Sequence, residues 1–106
     1  MPKYMLEASY TSEGAKGLLK DGGSKRRQAA DQAIKSAGGK LEAFYFAFGD
    51  RDAFLIVDAP DPATVAAVSI AVNATGAVQT KTIVLLTPEE MDAAAKKSVK
   101  YTPPGH

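Results

Sequence analysis

At 106 residues the chain is long enough for one domain and short for two. It has no cysteine, which excludes disulfides, zinc–thiolate sites, iron–sulfur clusters and thiol catalysis. Thirteen basic and twelve acidic residues leave a net charge of +1, so nothing draws the chain generally to nucleic acid or to an anionic membrane. No run approaches the ~20 apolar residues of a membrane span. The opening MPKYMLEASY lacks the apolar run of a signal peptide, so a soluble, cytoplasmic protein is the expectation.

Lys3 to Tyr10 alternates, with Tyr4, Leu6, Ala8 and Tyr10 on one face and Met5, Glu7 and Ser9 on the other. That period of two predicts a strand. Thr11-Ser12-Glu13 offers a helix start, and Asp21-Gly22-Gly23 breaks that helix early. Ser24 is the expected cap of a second helical segment. Its apolar positions, Ala29, Ala30, Ala33, Ile34 and Ala37, share one helical face. Gly38 is its expected stop.

Gly38 to Pro60 reads as a β-hairpin. Strands over Lys40–Phe48 and Ala53–Asp58, joined at Gly49-Asp50-Arg51-Asp52, pair Phe48 with Ala53, Phe46 with Leu55 and Phe44 with Val57. One face then carries Phe44, Phe46, Phe48, Ala53, Leu55 and Val57. The other carries Leu41, Ala43, Tyr45, Ala47, Phe54, Ile56 and Asp58. Both faces are apolar, which leaves open the one that meets helices; the phenylalanine face is the stronger candidate.

Asp61-Pro62 predicts a helix N-terminus, with Asp as cap and Pro in the first turn. The helix that follows, to Ala74, is apolar almost all round and is expected to be buried on more than one side. Val78 to Leu86 reads as a fourth strand. Thr87-Pro88-Glu89-Glu90 is a capping box opening a last helix, expected to run to about Val99. Residues 98–106 form a Pro-rich extended tail, and the whole chain, 1–106, is expected to be one domain.

The order strand, helix, strand, strand, helix, strand predicts an α+β, ferredoxin-like β-α-β-β-α-β fold with an extra C-terminal helix. Right-handed crossovers put the main helices on one face of a four-stranded antiparallel sheet. The other sheet face would expose Leu41, Tyr45, Phe54 and Ile56. A patch of that kind seeks a partner, and a second copy packed sheet to sheet is the expected one.

Three blocks carry a resemblance: the opening MPKYMLEASYTSEGAKGLLKDGG, the central GGKLEAFYFAFG with VDAPD after it, and the closing LLTPEEMDAAAKKSVKYTPPG. Together they resemble the GYD domain family of small bacterial proteins, nearly end to end. The resemblance implies a ferredoxin-like subunit of a dimeric α/β barrel and brings no defined activity. The family's Tyr-Asp pair at the hairpin tip is Arg51-Asp52 here, so no role of that ring carries over. Related barrels include cofactor-free monooxygenases, isomerases and haem-handling proteins, a likeness of fold alone.

No catalytic, metal or phosphate signature is present, and no cofactor is expected. His106, the only histidine, sits beyond Pro103-Pro104-Gly105 and lacks the surroundings that orient a ligand ring. Asp50, Asp52 and Asp61 have turn and cap duties. Glu7 and Asp58 are strand carboxylates that a partner subunit would cover, and Tyr10, Tyr45 and Phe54 are candidate cavity aromatics; these five form the candidate ligand site. The plainer readings are strand-end ion pairing with Arg51 or Lys81, and core or interface packing. Lys25-Arg26-Arg27, beside Gly22-Gly23-Ser24, lacks a phosphate-binding pattern and reads as a solvated first turn. Asn73-Ala74-Thr75 matches a glycosylation sequon but lies in a predicted helix.

Three functions follow as expectations. The first is a homodimeric module that binds a small apolar ligand or has a structural role. The second is a cofactor-independent monooxygenase- or isomerase-like enzyme acting on an apolar substrate. The third is a self-assembly module built on the basic helix and the tail.

Overall fold

The computed structural model describes residues 1–106. Its elements are β1 (Lys3–Tyr10), α1 (Ser12–Asp21), α2 (Gly23–Ser36), β2 (Lys40–Phe46), β3 (Ala53–Asp58), α3 (Pro62–Asn73), β4 (Val78–Leu85) and α4 (Pro88–Ala95). The strands form one sheet in the order β2-β3-β1-β4, every neighbouring pair antiparallel. This is the ferredoxin-like arrangement that the element order predicts.

The alternation of β1 sets the layers. Tyr4, Leu6 and Ala8 are buried under the helices, with Ala53, Leu55 and Val57 of β3 beside them. Ile34 from α2, Val65 from α3, Ala59 and Val78 complete the core. α2 lies along β2, and α3 lies along β4.

Local chemistry starts and stops the helices. Thr11 caps α1, its hydroxyl accepting from the Gly14 N–H. Gly14 must be glycine, because a Cβ there would lie 2.0 Å from the Ala77 carbonyl oxygen. Gly22, at φ +81°, ends α1 and begins α2 in a conformation that side chains disfavour. Ser24 is therefore not the cap expected from the sequence: α2 begins one residue before it, with no side-chain cap at all. Asp61 caps α3 through the Thr64 N–H.

The hairpin differs from its predicted pairing in two ways. Phe46 faces Ala53 and Phe44 faces Leu55, a shift of two residues that preserves the faces. Residues 47–52 form the loop, and Phe48 is fully exposed within it. The cause lies in β1: the Asp52 N–H donates to the Ala8 carbonyl, and the Asp52 carboxylate accepts the Tyr10 N–H, both at 2.8 Å. Second, a bulge between Leu41 and Ala43 turns Leu41 onto the helix face, where it packs against the core. The phenylalanine face does meet the helices.

Two helices are less covered than expected. Only Val65 of α3 is buried, and Ala66, Ala67 and Ile70 face outward. α4 ends at Ala95 rather than near Val99, and every residue from 86 to 106 is exposed. This arm helps stretch the molecule to 55 × 33 × 22 Å, with a radius of gyration of 16.8 Å. A compact chain of this length has a radius of about 13 Å.

Candidate functional site

The side of the sheet away from the helices is uncovered, and its residues fall in rows across the strands. The middle row is wholly apolar: Ala43, Ile56, Met5 and Ile83. On one side lies Tyr45, Phe54, Glu7 and Lys81; on the other lies Lys40, Asp58, Lys3 and Leu85. Four of the five expected site residues, Glu7, Tyr45, Phe54 and Asp58, therefore share this face. Tyr10 is on the opposite one, with Tyr4, Leu6 and Ala8.

The two carboxylates do not form a pair. Glu7 is opposite Phe54, four residues along β3 from Asp58, or about 13 Å at the usual strand rise. Each has its own cation. The Lys3 ammonium donates to Asp58 at 2.8 Å and to Glu42 at 2.6 Å. Glu7 stands 3.9 Å from the Arg51 guanidinium. The hydrogen bond from Lys3 holds the Asp58 carboxyl below its ordinary range, which makes it a weak proton acceptor. No cluster of three or more His, Asp or Glu side chains is arranged to hold a metal ion.

An apolar concave feature lies on the helix side. A cleft of about 310 Å³ opens between α2 and α3 above the middle strands. Leu6 and Ala8 of β1 and Ala53 and Leu55 of β3 form its floor, and 14 of its 17 lining residues are hydrophobic. Its walls explain why it stays open. α2 presents Ala29, Ala30 and Ala33, and α3 presents Ala71. Alanines on helices lying over opposite edges of the sheet cannot reach across to close the gap.

Four groups bring polarity to this cleft: Arg26, Tyr10, Thr75 and Thr80. The two threonines are engaged. Thr75 donates to the Val72 carbonyl at 2.7 Å, and Thr80 accepts from the Asn73 amide at 3.0 Å. The Arg26 guanidinium and the Tyr10 hydroxyl have no hydrogen-bond partner in the chain, and no carboxylate lies within 4.0 Å of Arg26. Both side chains are half-buried. The basic triplet thus divides: Lys25 and Arg27 are exposed, and Arg26 turns to the cleft. Arg26 and the alanines are the site residues that sequence reasoning passes over, although an arginine at the edge of an alanine face is a legible signal.

A model of the GYD domain matches residues 4–95. The chain belongs to the GYD domain family. The match runs from β1 to the last residue of α4, so this GYD domain includes the helix that packs on little else. No curated protein matches the chain. No helix of this GYD protein is long and apolar enough to cross a membrane.

Proposed function

We propose that this GYD protein is a homodimeric binding module with one small-molecule cleft in each subunit, between α2 and α3. The cleft carries the reading. Its volume, about 310 Å³, lies at the lower end of the ~300–1,000 Å³ of small-molecule sites, and an apolar lining with few polar groups is their usual character. Binding is favoured over proton transfer because Glu7 and Asp58 lie on the far side of the sheet and already face cations.

Two features support the dimer. The Ala43–Ile56–Met5–Ile83 row, flanked by mixed polar rows, has the make-up of an interface core and rim. The second is the arm. An eight-residue helix is too short to persist by itself, even with its complete capping box and Pro88 in the first turn. Its exposed Met91, with Leu86 before it and Val99 and Tyr101 after it, needs a surface, and a second copy is the nearest one available.

Native mass spectrometry of the protein taken from its own cells tests both parts. The expected species is a dimer that retains a small molecule on each subunit and loses it in an Ala33→Phe variant. A bare monomer would refute the proposal.

A further inference from the structure

Building on the reading of the cleft as a ligand site, we infer that its ligand is an apolar molecule ending in a carboxylate, anchored by the Arg26 guanidinium, with the Tyr10 hydroxyl as a second donor. Lys3, Lys25, Lys35 and Arg51 each have a carboxylate within 4.0 Å, but Arg26, half-buried at a largely apolar cleft, has none. Partial burial of a cation without a counter-charge carries a cost, and that cost falls when a ligand supplies the anion.

The position of Arg26 sharpens this. α2 has no acidic residue in its first turn, and its cap, Gly22, has no side chain. The positive end of the helix dipole therefore adds to the field of Arg26 rather than opposing it. The nearest acid before the helix, Asp21, is 3.8 Å from Lys25 and belongs to that pair. Nothing in the chain neutralises this corner of the cleft.

The kind of anion follows from the donors. A guanidinium binds a planar carboxylate through two parallel N–H bonds. A phosphate dianion would bring a second charge, and the cleft has no second cation to meet it. The alanine walls and the Leu6, Phe44 and Leu55 side chains accept a compact aromatic or medium-length aliphatic body.

Calorimetric titration of the full chain with naphthoate and with naphthylmethanol separates the charge from the apolar body. Wild-type protein is expected to bind the acid at least about tenfold more tightly than the alcohol. Arg26→Met should abolish this preference and leave the affinity for the alcohol unchanged. Arg26→Lys, which keeps charge but loses the planar fork, should retain part of it. Arg27→Gln, an exposed neighbour outside the cleft, should retain all of it. Equal affinities in the wild type, a preference that survives Arg26→Met, or an equal loss in Arg27→Gln would overturn the inference while the cleft stands as a site. Failure of both probes to bind, or their undiminished binding to a folded Ala33→Phe variant, would overturn the cleft reading and the inference together.

Discussion

Asp52 ties the hairpin loop to the neighbouring strand, its carboxylate accepting the Tyr10 N–H at 2.8 Å while its own N–H donates to Ala8. The loop is thereby docked on β1 at the edge where Tyr10 enters the cleft. Asp52→Ala leaves the Tyr10 N–H without an acceptor and should cost about 1–2 kcal/mol in denaturant unfolding. Faster hydrogen exchange at the Tyr10 amide is the local sign. Unchanged exchange would mean that the loop is held by other contacts.

Two glycines of α1 should respond oppositely to the same change. At Gly14 an added methyl meets the Ala77 carbonyl at 2.0 Å, and Gly14→Ala should destabilise by at least about 2 kcal/mol. At Gly17 nothing lies within 4 Å, and Gly17→Ala should stabilise by about 0.5–1 kcal/mol. Thermal melting of both variants checks the contrast.

The Lys3–Asp58 pair predicts a pH dependence at both ends of the scale. Asp58 lies below its ordinary 3.8, chiefly through the hydrogen bond from Lys3. Its contribution to stability is full above that ordinary value and is lost as pH falls through the depressed one. Lys3 is raised above 10.5, first by Asp58 and then by Glu42. That contribution is full below 10.5 and is lost as pH rises through the raised value. Asp58→Asn should flatten part of the acid limb in pH-dependent unfolding, and added salt should shrink the effect in this exposed setting. An acid limb unaltered in the variant would contradict the assignment.

The arm and the open sheet face predict separable effects on assembly. Deleting residues 87–106 should leave β4 and the core folded by circular dichroism and weaken the dimer by about tenfold or more. Ile56→Lys, which puts a charge in the middle of the apolar row, should do the same without touching the arm. Sedimentation at a series of concentrations measures both. A truncated protein that dimerises as the full chain does would remove the arm from the interface.

Much of this fold is legible because its signals are local. The β1 alternation, the Thr11 and Asp61 caps and the Thr87–Glu90 box each act within a few residues. The hairpin register is not local. Its loop length follows from the bonds of Asp52 to Ala8 and Tyr10, which are over forty residues away in sequence. The bulge lies at Glu42, whose carboxylate is held by Lys3, 39 residues away in sequence. The cleft escapes for another reason. Ala29, Ala30 and Ala33 read as a helix face turned to a core, and Ala30 does pack against it while Ala29 is exposed, but an alanine face looks the same whether another helix closes on it or leaves a gap. Arg26 is submerged in a basic triplet, and only its spacing of three, four and seven residues from Ala29, Ala30 and Ala33, one helical face, separates it from Lys25 and Arg27.

The location of the bound ligand is the most direct test of the account. Methyl-resolved NMR titration with naphthoate should shift the alanine signals of Ala29, Ala30, Ala33 and Ala71, which wall the cleft between α2 and α3. Shifts confined to Met5, Ala43, Ile56 and Ile83, on the far side of the sheet, would contradict it.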